Sequence, residues 1–152
     1  MQTTSLILPD IRSVVNVGSI FRTADAAGVD HIYLAGYTPG PLDRFGRPRQ
    51  DFHKSALGAE HTVSWSRVDD VVALIKELQS AGTLVVAVEQ DERSVDYKSI
   101  VRDKPVAFVF GNEVDGVGQD ILDMCDQIAE IPMHGKKESL NIAVSVGIVL
   151  YR

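Results

Sequence analysis

Short apolar runs alternate along the chain with segments in which apolar residues recur at helical spacing. Runs of this length that end at Gly, Pro or polar residues are typical of β-strands. Residues 83–90 and 104–111 are apolar over most of their length, which indicates strands buried on both faces of a sheet. The predicted strands are SLILPD (5–10), HIYLAG (31–36), HTVSW (61–65), TLVVAVEQ (83–90), KPVAFVFG (104–111) and DQIAEIPM (126–133).

Helical patterns fill the intervals between these strands. The aliphatic residues of segment 66–82 share one helical face. Asn16 and Ser66 stand where N-caps are expected, and Gly28 and Gly82 where C-caps are expected. The predicted helices cover residues 17–28, 66–82, 118–126 and 139–152. Strands that alternate with helices predict an α/β fold, with a mostly parallel sheet and helices on both of its faces.

The composition indicates one globular domain over residues 1–152. The chain is 45% hydrophobic and 24% charged, which is ordinary for a protein with one core. No apolar run reaches the roughly 20 residues that cross a bilayer, and the N-terminus lacks a signal-peptide pattern. The single Cys125 fits a small buried side chain in a reducing compartment. We therefore expect a cytoplasmic protein with no membrane partner. No metal is expected either, because the His residues lack ligand spacing.

Charge is distributed unevenly along the chain. Fifteen basic and 21 acidic residues give a net charge of −6, which argues against general electrostatic binding of nucleic acid. The Gly-, Pro- and Arg-rich stretch 37–50 is a predicted loop. Residues 43–54 hold four basic and two acidic side chains, so this part is +2 and the remainder is −8. A local basic loop favours contact with an anionic partner, and a solvated surface loop is the alternative.

A glycine-rich segment, FVFGNEVDGVG (108–118), follows a predicted strand. It lacks the Gly-Lys-Ser/Thr of a Walker loop and does not match the dinucleotide fingerprint G-x-G-x-x-G. Its Glu113 would repel a pyrophosphate, and suits a ligand that presents a hydroxyl, an amine or a positive charge. A tight turn with a solvated Glu113 is the alternative.

Two further segments place polar residues in or next to predicted helices. In NVGSIFRTADAAG (16–28), Arg22 lies near the apolar face, where it is either aimed at a phosphate or solvated. In EIPMHGKKESLN (130–141), Ser139 opens the last helix after a basic pair. A helix N-terminus attracts acceptor atoms. Taken alone, Ser139 is most simply a cap.

Together and in this order, the three segments resemble the motifs of a known family. N-x-G-x-x-x-R-T-A, F-G-N-E-x-x-G and I-P-M…S-L-N are similar to the three motifs of the SpoU (TrmH-type) RNA 2′-O-ribose methyltransferases of the SPOUT superfamily. The resemblance extends from about Leu6 to Tyr151. It implies a C-terminal trefoil knot, a homodimer, S-adenosylmethionine as cofactor, and tRNA or rRNA as partner. Many members carry an appended RNA-binding domain, and none is expected in this chain.

The resemblance also implies the site residues. The catalytic positions are Asn16, Arg22, Glu113, Ser139 and Asn141. The cofactor-binding positions, which act mostly through backbone groups, are Val88, Glu89, Gly111, Ile131, Met133 and Leu140. With no RNA-binding domain expected, RNA contacts are assigned to Arg44, Arg47, Arg49 and Lys136.

The implied reaction is in-line attack of a ribose 2′-hydroxyl on the methyl carbon of a sulfonium. Arg22 would bind the phosphate beside the target ribose and stabilise the developing alkoxide. A guanidinium is a poor base, so that phosphate, or a transiently neutral Arg22, would take the proton. Asn16 would hold Arg22, and Glu113 would orient Arg22 or Asn16 across the dimer. Ser139 and Asn141 would place the ribose.

Two other functions remain open from the sequence. A cofactor-binding RNA-interaction protein without catalysis would not need all five catalytic positions, so their joint presence favours the enzyme. A generic nucleotide-binding domain is disfavoured by the missing glycine fingerprint. The last motif, SLNIAVSVGI (139–148), differs from the commoner Ala-rich form only by small apolar residues.

Overall fold

Seven parallel strands form one sheet in the computed structural model, which describes residues 2–152. The strands are β1 (Thr4–Pro9), β2 (His31–Ala35), β3 (Ser64–Val68), β4 (Leu84–Val88), β5 (Val95–Asp96), β6 (Val106–Phe110) and β7 (Gln127–Glu130). Their order across the sheet is β3-β2-β1-β6-β4-β7-β5. The predicted parallel sheet is confirmed, and its most buried strand, β6, is buried at all five positions.

Helices cover both faces of this sheet, as predicted. They are α1 (Val14–Ala27), α2 (Gln50–Ala56), α3 (Val71–Ser80), α4 (Gln119–Met124) and α5 (Ile142–Leu150). Successive residues of a strand point to opposite faces, so Leu6 and Leu8 join the core under α1, α2 and α5. Ile7, between them, joins the core under α3 and α4. The sheet is therefore the middle of three layers.

Of the four predicted helix caps, Gly28 is confirmed, Asn16 and Ser66 are wrong, and Gly82 directly follows the observed C-cap Ala81. Gly28 ends α1 in the left-handed conformation, with φ of 75°. The N-cap of α1 is Ser13, whose Oγ accepts from the Asn16 backbone N at 3.1 Å, so Asn16 lies inside the helix. Ser66 belongs to β3, and α3 begins at Val71 behind Asp70, whose carboxylate accepts from the Ala73 backbone N. In both helices, a polar residue other than the predicted one is the N-cap.

Two elements are absent from the sequence prediction. Helix α2 follows the predicted loop directly and packs on α1, where the Phe21 and Phe52 rings meet edge to face at 5.0 Å. A Cβ added at Gly18 would lie 2.9 Å from the Phe52 carbonyl oxygen, so glycine allows the two helices to approach closely. Strand β5 has two residues and carries little pattern. Strand β3 also begins three residues later than predicted, because His61 ends a short 3-10 helix.

Cys125 is half-buried at the end of α4. Burial, followed by the charge of Asp126, raises the pKa of its thiol to about 12. Only the thiolate reacts readily with alkylating reagents. We expect native protein at pH 8 to react with iodoacetamide about a hundredfold more slowly than denatured protein. Mass spectrometry of timed samples measures this ratio, and equal rates would contradict it.

No helix within residues 2–152 is long and apolar enough to cross a membrane. No group of three or more His, Cys, Asp and Glu residues in that range is arranged to hold a metal ion.

Candidate active site

A cleft of about 840 Å³ opens at the carboxyl ends of β4, β6 and β7. Ligands of parallel α/β sheets bind at this edge. The loops that follow Val88, Phe110 and Ile131 all line the cleft. The segment that leads into α5, from Glu138 to Asn141, closes the opposite side.

Glycine gives this cleft its shape. A Cβ added at Gly111 would lie 2.2 Å from the Gly116 carbonyl carbon and 2.3 Å from the Val117 nitrogen. Gly116 has φ of 69°, a conformation that non-glycine residues rarely adopt. The turn after β6 therefore folds back onto its own strand, and backbone groups form the wall there.

Glu89 holds that turn in place. Its Oε2 accepts from the Val117 backbone N at 2.9 Å, and its Oε1 accepts from the Gln90 backbone N at 2.9 Å. The Glu89 backbone N itself donates to the Ala129 carbonyl oxygen on β7. Glu89 thus joins β4, β7 and the turn after β6, so its carboxylate supports the cleft wall.

All six positions assigned to the cofactor line the cleft, in two groups. Val88, Ile131, Met133 and Leu140 contribute apolar side chains, and Leu140 is 40% exposed. Gly111 and Glu89 contribute the backbone wall. Apolar walls with a few polar groups are the usual environment of a cofactor ring.

A chain of polar side chains crosses the mouth of the cleft. Glu113 accepts from the backbone N of Arg12 at 3.0 Å, from that of Ser13 at 3.3 Å, and from Asn16 Nδ2 at 3.5 Å. Asn16 Oδ1 accepts in turn from Asn141 Nδ2 at 3.2 Å. Three predicted catalytic residues, separated by up to 125 positions, therefore touch one another. Glu113 bonds to Asn16 of its own chain, and the predicted contact of Glu113 with Arg22 across a dimer stays a prediction.

Glu113 is ionised in this arrangement. Burial alone raises its pKa, but the hydrogen bonds from the Arg12 and Ser13 backbone and from Asn16 outweigh burial and hold the pKa below its ordinary value of 4.5. A carboxylate with a lowered pKa is a weak proton acceptor. Glu113 therefore acts by holding the N-terminus of α1 against the turn after β6.

Replacing Glu113 by Gln tests this role through pH. A carboxylate whose pKa falls on folding stabilises the protein above its unfolded pKa, and this contribution disappears as pH falls through the folded value. We expect wild type to be more stable than Glu113→Gln at pH 7, with the difference shrinking as pH falls below the ordinary value of 4.5 and through the lowered folded pKa. Urea unfolding of both proteins between pH 3 and 7 measures the difference. A difference independent of pH would contradict the ionised role.

Asn141 caps the N-terminus of α5. Its Oδ1 accepts from the backbone N of Ala143 at 2.8 Å and of Val144 at 3.4 Å, so it is the N-cap. Its Nδ2 has one hydrogen left after the bond to Asn16. Ser139 lies outside the helix, exposed and on the cleft wall. The simple capping role considered for Ser139 therefore belongs to Asn141.

Arg22 is the predicted catalytic residue that the fold does not bring to this cleft. It lies two turns into α1, is exposed, and is not among the residues that line the cleft within 2–152. Its spacing of seven from Val15 places both residues on one exposed face of α1. Val15 is 58% exposed. A single chain therefore brings together four of the five catalytic positions.

The predicted RNA-binding arginines form a basic loop, residues 43–49, outside the cleft. The guanidinium carbons of Arg44 and Arg47 lie 4.7 and 4.9 Å from the centre of the Phe45 ring. Phe45 is 66% exposed, so the loop presents a ring between two cations. Such a surface suits contact with phosphates and bases.

Two of these arginines are paired within the loop region. Arg47 Nε donates to Asp43 at 3.0 Å, and Arg49 makes two bonds to Asp51 at 3.0 and 2.7 Å. Exposed pairs contribute little stability, so a phosphate can replace the carboxylate. Lys136 is exposed in the segment between β7 and α5.

Sequence reasoning missed two polar residues of the cleft. Asn112 is 7% exposed, and its Nδ2 donates to the Asp10 carbonyl oxygen at 2.5 Å and to the Tyr37 hydroxyl at 2.7 Å. Gln90 Nε2 donates to the Glu138 carbonyl oxygen at 2.6 Å, across the cleft mouth. Asn112 stands inside the F-G-N-E-x-x-G motif, whereas Gln90 lies outside the three motifs. A count of buried polar positions after strand ends could have found Asn112.

Comparison with known proteins identifies the family of this chain. A Staphylococcus haemolyticus protein assigned to the TrmH family of tRNA/rRNA methyltransferases is 35% identical over 98% of this chain and 57% of its own length. The AdoMet-bound rRNA methyltransferase from Sinorhizobium meliloti is 33% identical, with a TM-score of 0.87 over 98% of this chain and 54% of that one. The A. aeolicus TrmH/SpoU tRNA modifying enzyme is 28% identical, with a TM-score of 0.86 over 99% of this chain and 73% of that one.

The chain thus spans a little over half the length of the curated relative, and nearly all of the chain takes part in each match. The model of the SpoU rRNA Methylase family matches residues 3–151. By motifs, fold and cleft alike, this chain belongs to the SpoU rRNA methylase family.

Proposed function

We propose that the protein transfers a methyl group from S-adenosylmethionine to a ribose 2′-hydroxyl of tRNA or rRNA. The observation that carries this proposal is the cleft itself. Glu113, Asn16 and Asn141 are hydrogen-bonded at its mouth, beside a group of apolar side chains on its wall. Family relatives of this chain are named as tRNA/rRNA methyltransferases. A related structure is described as AdoMet-bound.

The residues of the cleft fit the proposed cofactor. The cleft volume of about 840 Å³ exceeds the volume that one adenosyl-containing molecule occupies. The backbone wall at Gly111 leaves no room for a Cβ and presents peptide groups to an adenine edge. Ile131, Met133 and Leu140 provide apolar cover for the ring. S-adenosylmethionine held there supplies an activated methyl carbon.

The chain's own residues then align the ribose and stabilise charge. Asn141 and Asn16 each have one amide hydrogen left over, and Ser139 has a free hydroxyl, so these groups hold the ribose at the cleft mouth. Arg22 binds the phosphate beside the target ribose and stabilises the developing 2′-alkoxide. Glu113 is a poor proton acceptor because of its lowered pKa. The adjacent phosphate, or a transiently neutral Arg22, takes the proton.

A homodimer would complete this site. Val144 on α5 is 50% exposed and Tyr151, seven residues later on the same face, is 64% exposed. The exposed face of α1 that carries Val15 and Arg22 lies beside α5, since Asn16 contacts Asn141. An apolar exposed patch of this kind marks an interface. Packing two copies through it places Arg22 of one chain at the cleft of the other.

The C-terminal segment is proposed to be threaded as a trefoil knot. Strand β7 lies between β4 and β5, although residues 89–105, which contain β5, precede it in the chain. Gln90 and Arg102, near the two ends of that loop, bond to Glu138 and to the last carbonyl groups of α5. Both ends of the C-terminal segment are therefore held by one loop. Knots are known exceptions to ordinary topology.

RNA is proposed to reach the cleft by way of the basic loop and Lys136. The protein carries a net charge of −6, so contact must be local and directed. Folded RNA is recognised largely by shape and by unstacked bases. An RNA substrate is consistent with a cytoplasmic site of action.

The test is transfer of labelled methyl from S-adenosylmethionine to fractionated RNA. We expect label in one RNA fraction from cells that lack this gene. The same fraction from cells that have the gene is the control and should take up little label, because its site is already methylated. Cofactor binding without transfer to any fraction would reject the enzyme and favour a non-catalytic RNA-interaction protein.

A further inference from the structure

A second cavity, of about 450 Å³, lies beside the basic loop and away from the active-site cleft. Its walls are mainly apolar and include Trp65, Leu42, Pro41 and Pro48. The loop that carries the arginines forms one side, since Leu42 pairs with Pro48 across it. The cavity therefore has flat aromatic and apolar walls, as ligand sites for planar rings do.

Glu60 belongs to the lining of this cavity, and one oxygen of its buried carboxylate has no partner within residues 2–152. The Glu60 side chain is 7% exposed, and its Oε1 accepts from His53 Nδ1 at 2.6 Å. Its Oε2 is buried and has no hydrogen-bond partner within residues 2–152. A buried oxygen without a partner is costly. A ligand that donates an N–H group would satisfy it.

Glu60 is anionic in this position. Burial raises its pKa, but the hydrogen bond from His53, the backbone and the charges of His53 and His61 together outweigh burial and lower it. His61 Nε2 lies 3.6 Å from Oε1. A carboxylate accepts hydrogen bonds and offers none. The ligand group at the bottom of the cavity must therefore be a donor.

The charges around the cavity decide the class of ligand. Arg49 lines it, and Arg44 and Arg47 stand in the same loop. Asp43 and Asp51 pair with Arg47 and Arg49, so three Arg and two Asp leave residues 43–51 with a net charge of +1. A cationic ligand would suit Glu60 but not that rim. A nucleotide suits both, because its neutral base donates N–H groups while its phosphate is anionic. Within residues 2–152, no group of three or more His, Cys, Asp and Glu side chains is arranged to hold a metal ion, and Glu60, His53 and His61 form no such group.

Guanine is the base that matches best. Its N1–H and N2–H₂ groups are adjacent donors on one edge, and a carboxylate has two acceptor oxygens. Adenine and cytosine present an acceptor next to their amino group, which a carboxylate would repel. The single Trp65 offers a face on which an unstacked base can stack.

We propose that this cavity binds an unstacked guanine of the RNA substrate, with Glu60 accepting from its Watson–Crick edge. The inference rests on the proposed function, because the RNA brings the guanine to the cavity. It assigns a base-recognition site separate from the methyl-transfer cleft. The basic loop then holds the phosphate that follows this guanine.

Trp65 is the only tryptophan of the chain, so its fluorescence reports on this cavity. Protein saturated with S-adenosylhomocysteine, which blocks the other cleft, is titrated with GMP, IMP and AMP. We expect GMP to quench Trp65. IMP, which lacks the 2-amino group, and AMP should bind more weakly. Glu60→Gln should weaken GMP binding about tenfold, because a charged hydrogen bond is lost. Equal binding of AMP and GMP would overturn the guanine assignment.

Matched variants separate the possible failures. Glu77→Gln removes an exposed carboxylate on α3 and should leave GMP binding unchanged. Thermal unfolding of Glu60→Gln shows whether the variant is folded. In methyl transfer, Glu60→Gln should raise the KM for RNA about tenfold and leave kcat unchanged. An unchanged KM, despite lost GMP binding, would assign the cavity to a free nucleotide and overturn its role in RNA binding.

The two proposals fail separately. Methyl transfer without quenching by GMP overturns the guanine site and leaves the proposed function standing. Quenching that depends on Glu60, in a protein that transfers no methyl group, supports the guanine site and counts against the proposed function alone.

Discussion

Replacing Arg22 by Ala is expected to lower kcat for methyl transfer at least a hundredfold, the usual effect of removing one preorganised charge-stabilising donor. Binding of S-adenosylmethionine should not change, because Arg22 does not line the cleft of its own chain. Arg22→Lys should recover little activity, since Lys cannot make the paired contacts of a guanidinium to phosphate. Single-turnover kinetics and calorimetry separate the two effects. Full activity of Arg22→Lys would contradict the paired contact.

Mixed dimers test whether Arg22 acts on the partner's cleft. Arg22→Ala removes the guanidinium and leaves the cleft residues intact. Glu113→Gln alters the cleft and leaves Arg22 intact. When the two variants are refolded together in equal amounts, half of the dimers are mixed. Each mixed dimer has one complete site if Arg22 acts across the interface. We expect about a quarter of wild-type activity under random pairing. Activity no greater than that of the two variants measured separately would place Arg22 in its own chain's site.

Replacing Gly111 by Ala is expected to abolish cofactor binding and to destabilise the fold. The added Cβ would lie 2.2 Å from the Gly116 carbonyl carbon, and backbone cannot move aside as a flexible side chain can. Overpacking of this kind costs about 1–3 kcal/mol, or more where backbone must shift. We expect the melting temperature to fall by about 2–4 °C for each kcal/mol lost. Calorimetry with S-adenosylmethionine measures the loss of binding.

Gly135→Ala is the matched control for Gly111→Ala. It lies in the segment between β7 and α5, and an added Cβ there meets no atom within 4 Å. Stability and cofactor affinity should remain those of wild type. If Gly111→Ala behaved like this control, the close packing of the turn after β6 would not shape the cleft.

The parallel sheet could be predicted because its strands carry strong local patterns. Residues 84–87 and 106–110 are buried along their length, and an apolar run records this burial directly. Helix α2 could not be predicted in the same way, because the loop of Gly, Pro and Arg before it dominates the local signal. The order β1-β6-β4-β7 is set by contacts between distant segments, and periodicity contains no information about it.

The site could be predicted only from the motifs taken together. Asn16, Glu113 and Asn141 each have an ordinary local role, and Asn141 is indeed a helix cap. Their hydrogen bonds join positions about a hundred residues apart, which no spacing rule predicts. The exposed position of Arg22 is a further example, because a motif assigns a residue to a reaction without saying which chain supplies it. Glu60 carries no motif signal that the sequence alone could assign to a cavity.

The most direct test of the account is the chemical position of the transferred methyl group. RNA labelled by the protein is digested to nucleosides, and these are separated and identified by mass spectrometry. We predict that the label is found in a 2′-O-methylnucleoside, and that the adjacent phosphodiester bond resists alkaline hydrolysis. Label on a base, with the ribose unmodified, would contradict the proposed roles of Asn16, Ser139 and Asn141 in holding the ribose.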